Sequence, residues 1–110
     1  MRPTWADIDL SAISRNIATI ADLVAPSEVC AVVKADGYGH GSVPVARAAV
    51  QAGASWLAVA LVEEGRVLRE AGVTTPILVL SEPRPDEMVE VVAHDLTPSV
   101  YSGEGLAAAA

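Results

Sequence analysis

The chain has 110 residues, which is the length of one domain with one core. A net charge of −7 without a Lys/Arg cluster argues against nucleic acid or an anionic membrane as a partner. The single cysteine, Cys30, excludes an intrachain disulfide and suits a reducing compartment, so we expect a cytoplasmic protein. Gly, Pro or charge interrupts the apolar stretches before membrane-spanning length, which predicts no membrane span.

Short runs of consecutive apolar residues predict parallel strands that are covered on both faces. In chain order, the predicted strands are an alternating segment at Trp5–Leu10 and apolar runs at Glu28–Lys34, Trp56–Ala60, Pro76–Leu80 and Leu96–Tyr101. The ends of the last four follow one another at intervals of 20 to 26 residues. This spacing is typical of βα units with right-handed crossovers.

Segments with helical spacing lie between the predicted strands. They are a helix after a Ser11 cap that carries Ile13 and Ile17, one from Val43 that ends at Gly53, one at Val62–Ala71 that ends at Gly72, and one at Asp86–His94 that buries Met88, Val89 and Val92. A further helix begins near Gly103 with no stop signal after it, so we expect the chain to be truncated.

Two α/β architectures fit this order of elements. A (β/α)₈ barrel of TIM type needs eight strands, so residues 11–110 would form about its first half, after an N-terminal strand segment at residues 1–10. A doubly wound parallel sheet would need fewer residues.

One amine stands where a predicted strand meets a glycine-rich loop. Lys34 closes the apolar run CAVV and is followed by ADGYGHG. The strand end would fix the lysine stem, and we expect the loop amides and the next helix N-terminus to bind a phosphate, with the Tyr38 hydroxyl as a further donor. The pattern favours a pyridoxal-phosphate lysine. The alternative is a solvent-exposed lysine before an ordinary βα turn.

The same loop also resembles the dinucleotide-binding pattern Gly-x-Gly-x-x-Gly. The match is weak because the third glycine is replaced by Ser42, and the possible ribose acid, Glu63, lies too far along the chain. A nucleotide-binding module stays open as an alternative. The sequence shows no metal-ligand cluster.

Several segments together resemble the alanine racemase family. AVVKADGYGHG, residues 31–41, is similar to the family's cofactor-lysine signature, whose usual form has alanine at the position of Gly37. WADIDL with Asn16 resembles the family's opening strand and first helix, and LAVA with Glu64, LREAG and PILVL follow in the family's order and spacing. The resemblance covers residues 5 to about 100.

This resemblance implies a pyridoxal-phosphate-binding (β/α)₈ barrel, a β-rich C-terminal domain, and a homodimer that shares its active sites. The implied reaction interconverts L-alanine and D-alanine, which supplies D-alanine for the bacterial cell wall. The resemblance assigns Lys34 to the Schiff base with pyridoxal 5′-phosphate and to acid/base work on the D-alanine side, and Tyr38 to the cofactor phosphate. We expect Val32 to pack beneath the cofactor ring and Leu80 to line the same pocket; ordinary core packing is the alternative for both.

A second acid/base is needed, because one lysine cannot reach both faces of a planar carbanion. The family uses a tyrosine from the partner subunit's C-terminal domain, and Tyr101, on the predicted fourth strand, does not match it. The family's arginine at the pyridine nitrogen would also lie beyond residue 110. We therefore expect residues 1–110 alone not to racemise alanine. A pyridoxal-phosphate barrel protein that is not a racemase stays open as an alternative function.

Overall fold

The computed structural model of the chain describes residues 9–110. Within them, helices and strands alternate as the apolar patterns predict. They are α1 (Leu10–Val24), β1 (Cys30–Val32), the single turn α2 (Lys34–Tyr38), α3 (Ser42–Gln51), β2 (Trp56–Val59), α4 (Val62–Glu70), β3 (Ile77–Val79), a 3₁₀ turn (Pro85–Glu87), α5 (Met88–Ala93), β4 (Thr97–Pro98) and α6 (Gly103–Ala109). None of these described helices is long and apolar enough to cross a membrane.

The strands of the described residues form one parallel sheet in the order β1-β2-β3-β4. Its register places Val32 beside Ala58 and Ala58 beside Leu78. A helix connects each strand to the next, and each strand lies beside its predecessor, whereas a doubly wound sheet reverses its strand order at a switch point. The order is that of successive strands in a (β/α)₈ barrel. The predicted fold class is confirmed.

One face of this sheet carries the hydrophobic core. Its strand side chains are at most 8% exposed and are those of Ala31, Val33, Leu57, Val59, Ile77 and Val79. Buried residues of the helices, including Ala46, Ala49 and Leu68, belong to the same core. Small alanine side chains let α3 lie close to the strands, which is how the helix layer of a barrel packs on its sheet.

The opposite face of the sheet is partly open in residues 9–110, although Ala58 in its middle is buried. On it, Val32 is 39% exposed and Leu80 is 42% exposed, and the Cys30 side chain is exposed too. The prediction that the strands are covered on both faces is wrong at Val32 and Leu80 in the described residues. The reason is geometric: this face would line the interior of a barrel, which needs eight strands to close.

The first helix begins earlier than its sequence pattern predicts. Asp9 is its cap, and the Asp9 carboxylate accepts a hydrogen bond from the Ala12 amide at 3.1 Å. The prediction of Ser11 as the cap is wrong, because a carboxylate two residues earlier also satisfies a free amide and carries the negative charge favoured at a helix N-terminus. Leu10 is therefore helical, and residues 5–8 of the predicted strand lie outside the described residues.

The segment before β4 differs from its predicted helix. Pro85 opens a 3₁₀ turn, and α5 begins only at Met88. The tighter turn changes the phase of the helix, so Met88 and Val91 are buried, while Val89 is 73% exposed and Val92 is 78% exposed. The prediction that Val89 and Val92 are buried is therefore wrong.

Candidate active site

Lys34 is the second residue after the end of β1, at the carboxyl edge of the parallel sheet. The residue before it, Val33, is 1% exposed and donates its amide to the Ala58 carbonyl at 2.8 Å, so the sheet holds the chain up to the lysine. The Lys34 side chain is half-buried. In barrels of this architecture, the functional groups of enzymes gather at this edge.

The three residues after Lys34 form a left-handed turn. Their φ angles are 52° at Ala35, 55° at Asp36 and 65° at Gly37. Only glycine adopts this conformation without cost, and each of the other two residues loses roughly 1–2 kcal/mol. Backbone strain of this kind concentrates at functional sites and persists only where surrounding contacts hold it.

Hydrogen bonds inside the loop occupy its glycine amides. These amides donate from Gly37 to the Val33 carbonyl at 2.9 Å, from Gly39 to Ala35 at 3.0 Å and from Gly41 to Asp36 at 2.8 Å. The first amide of α3, that of Ser42, donates to the Asp36 carboxylate at 2.8 Å. The prediction that these amides bind a phosphate is wrong for this conformation, because protein oxygens already accept from them. The Tyr38 side chain lies outside the described part of the structure, so its role stays a prediction.

A carboxylate from α4 joins the loop after β1 to the loop after β2. Glu64 Oε2 accepts from the Ala35 amide at 2.6 Å, and Oε1 accepts from the amides of Ala60 and Leu61 at 2.8 Å each. The contact with Leu61 is the glutamate half of a capping box at the start of α4. That helical spacing was visible in the sequence, but the contact with Ala35, 29 residues away, was not.

A second carboxylate joins the loops after β3 and β4. Glu82 accepts hydrogen bonds from the Ser102 hydroxyl, from the Ser102 amide at 2.9 Å and from the Tyr101 amide. These donors, the Ser102 hydroxyl first and the Tyr101 amide next, lower the pKa of Glu82 below the ordinary glutamate value. The Tyr101 hydroxyl accepts from the Glu82 amide at 3.3 Å.

The lowered pKa of Glu82 predicts a loss of stability in acid. A carboxyl group whose pKa is lower in the folded state contributes fully above its unfolded pKa, roughly 4.3, and loses that contribution as the pH falls through the folded value. We expect Glu82→Gln to be less stable than the parent at neutral pH and to lose less stability on acidification. Urea unfolding midpoints between about pH 6 and pH 3 measure this. Equal pH dependence in the two proteins would contradict the role of Glu82.

Val32 and Leu80 both lie on the open face of the sheet. Val32 is the last residue of β1, and Leu80 follows β3 and donates its amide to the Val59 carbonyl at 2.7 Å. The strand alternation places both on the side that would face a barrel interior. Their predicted contacts with a cofactor remain predictions.

A family model described as "Alanine racemase, N-terminal domain" matches residues 8–110. The chain belongs to this family. Among relatives, it is 49% identical over 104 residues to the alanine racemase of Symbiobacterium thermophilum, covering 94% of this chain and 28% of the relative. It is 50% identical over 103 residues to the alanine racemase of Methanococcus maripaludis, covering 93% and 28%.

Solved alanine racemase structures agree in fold with this chain. The E. faecalis alanine racemase superimposes with a TM-score of 0.88 at 42% identity, covering 93% of this chain and 28% of that one. The Bacillus anthracis alanine racemase, solved with bound L-Ala-P, gives 0.88 at 40% identity, covering 96% and 29%. The chain therefore spans a little over a quarter of the length of the alanine racemases it matches.

The resemblance to the alanine racemase family is thus confirmed, and with it the barrel architecture. The nucleotide-binding alternative loses its one acidic residue as well. Glu63 forms an ion pair with Arg66 on α4, and Arg66 also pairs with Glu70 at 2.6 Å. Glu63 is therefore part of an exposed ion-pair network in which both of its carboxylate oxygens accept from Arg66, whereas a ribose-binding acid would need them for the ribose hydroxyls.

Proposed function

We propose that the intact protein is an alanine racemase that uses pyridoxal 5′-phosphate to interconvert L-alanine and D-alanine, with Lys34 as its cofactor lysine. The observation that carries the proposal is the position of Lys34 at the carboxyl edge of the sheet, in a chain of the alanine racemase N-terminal domain family. Lys34 is also the only lysine in the 110 residues. Any covalent chemistry of a side-chain amine within this chain therefore belongs to Lys34.

The residues near Lys34 suit the aldehyde and the ring of this cofactor. A primary amine condenses with an aldehyde, and the open apolar face that carries Val32 and Leu80 suits a flat aromatic ring. The glycine amides are already hydrogen-bonded, so the phosphate needs other donors, and we assign one of them to the Tyr38 hydroxyl. When bound, the cofactor supplies an electron sink for negative charge at the substrate Cα.

Lys34 has two tasks in the proposed reaction. Its Nζ would hold the cofactor covalently when no amino acid is bound. With the amino acid bound, Nζ would move a proton to or from the substrate Cα on one face, which we assign to the D-alanine side. The rigid strand end before Lys34 limits the motion of its Cα and thereby the volume that the amine can reach.

We place the second acid/base outside residues 1–110, on a partner subunit of a homodimer. Racemisation needs a proton donor on the face that Lys34 does not reach. We do not assign this role to the Tyr101 hydroxyl, because it contacts the Glu82 backbone in the loop after β3, whereas Lys34 follows β1, and β1 and β4 are the two outer strands of the described sheet. We further propose that the enzyme works in the cytoplasm and supplies D-alanine to the cell wall, in keeping with its single cysteine.

Reduction with borohydride tests the proposal. The intact protein, incubated with pyridoxal 5′-phosphate and reduced, is expected to carry a pyridoxyl group on Lys34, because reduction makes a reversible bond to the amine permanent. Peptide mass mapping locates the group, and an unreduced sample is the control. An adduct only on a lysine outside this chain, or no adduct, would refute the assignment. An adduct on Lys34 without racemisation of alanine would identify a pyridoxal-phosphate protein of another activity.

A further inference from the structure

The Glu64 side chain accepts hydrogen bonds from the loop after β1 and from the loop after β2, at the carboxyl edge of the sheet. One carboxylate oxygen accepts from Ala35 at 2.6 Å, and the other accepts from Ala60 and Leu61 at 2.8 Å each. Glu64 lies in the first turn of α4 and is half-buried. Three amide donors from two loops therefore converge on one carboxylate.

The Ala35 amide belongs to the peptide bond that joins Lys34 to Ala35. Because a peptide unit is planar, a hydrogen bond to its N–H fixes the orientation of the carbonyl carbon of Lys34 as well. The next residues need this support, because Ala35 and Asp36 have left-handed φ angles that favour glycine. Without the bond to Glu64, the loop could relax and the lysine Cα would move with it.

We propose that Glu64 is a positioning residue for Lys34, an inference that rests on the proposed function of Lys34 itself. The lysine stem has four rotatable methylene groups, so the direction in which it leaves the backbone decides where Nζ can react. A misplacement of about 1 Å can cost about 100-fold in rate. Glu64 acts on this direction through its hydrogen bond to the Ala35 backbone amide.

The three donors explain why a carboxylate is needed here. In Glu64→Gln, the single side-chain carbonyl oxygen can accept hydrogen bonds from the backbone amides of one loop. The side-chain NH₂ group, which is a donor, would then face a backbone N–H of the other loop. In Glu64→Asp, the charge at the start of α4 and the local contact with Leu61 are retained, but the side chain is one methylene too short to join both loops. Glu63→Gln is the matched control, since both Glu63 carboxylate oxygens accept from Arg66 on the same helix.

The test compares these variants in the intact protein loaded with pyridoxal 5′-phosphate. We expect Glu64→Gln and Glu64→Asp to lower kcat for alanine racemisation by about 10- to 100-fold, with a smaller change in KM. The Ala35 amide should lose protection from hydrogen exchange, and the fraction of Lys34 trapped by borohydride should fall. Glu63→Gln should match the parent in all three measurements.

The outcomes separate the inference from the proposed function. A parent protein without an adduct on Lys34 overturns the proposed function. An adduct on Lys34 in the parent, with kcat, exchange and trapping unchanged in Glu64→Gln, overturns the positioning role alone. If Glu64→Gln does not fold, Glu64→Asp decides: parent-like behaviour means that Glu64 only caps α4, and reduced kcat with faster exchange at Ala35 supports positioning.

Discussion

Replacing Lys34 with alanine in the intact protein is expected to lower kcat/KM for alanine racemisation by about 1,000-fold or more. The variant loses the amine that holds the cofactor and the group that moves a proton on one face of the substrate, and acid–base catalysis alone contributes about 100- to 10,000-fold. The half-buried side chain lies at the edge of the sheet, outside the core, so the fold should survive the change. The decay of the circular dichroism signal of L-alanine measures the rate.

Two controls make this result specific to Lys34. Free pyridoxal 5′-phosphate without protein gives the background rate, and Lys34→Arg keeps a positive charge but cannot form the covalent bond to the cofactor. Lys34→Ala and Lys34→Arg should both bind the cofactor, but neither should retain it after borohydride treatment and denaturation. Racemisation by Lys34→Ala within tenfold of the parent would show that another amine, outside this chain, is the cofactor lysine.

The sequence was sufficient to predict the order of elements and the position of Lys34. Apolar runs marked the strands because each strand buries one full face, as Leu57 and Val59 do. The residues at which the strands end were less predictable. β4 is only Thr97–Pro98, although the next amide, that of Ser99, still donates to the Val79 carbonyl of β3 at 3.2 Å.

The contacts that shape the candidate site could not be predicted from the sequence. Glu64 and Ala35 are 29 residues apart, and their hydrogen bond exists only because β1 and β2 are neighbours in the sheet. The glycine loop was misinterpreted for a related reason. Amides that look available for an anion in a linear pattern are taken by the Asp36 carboxylate and by carbonyls once the loop folds on itself.

Arg69 is expected to be a main source of stability at the other end of α4. Its guanidinium donates to four backbone carbonyls, those of Val73 at 2.9 Å, Thr75 at 2.7 Å, His94 at 2.9 Å and Asp95 at 3.0 Å. These carbonyls precede β3 and β4, so Arg69 joins two loops at the amino edge of the sheet. In barrels, that edge serves stability, while the carboxyl edge serves catalysis.

Arg69→Met should therefore destabilise the intact protein by about 2–3 kcal/mol, because it leaves partly buried carbonyls without their charged donor. Arg69→Lys should recover little, since an ammonium group cannot reach four carbonyls with the planar geometry of a guanidinium. Urea unfolding midpoints measure both. The matched control is Arg66→Met on the same helix, where the arginine pairs with Glu63 and Glu70, both exposed, and a much smaller loss is expected. Equal losses of stability at the two positions would mean that water replaces Arg69 as the hydrogen-bond donor to the four carbonyls at no net cost. A fall in kcat of folded Arg69→Met, measured under conditions where it stays folded, would show that the amino edge of the sheet also controls the site at Lys34.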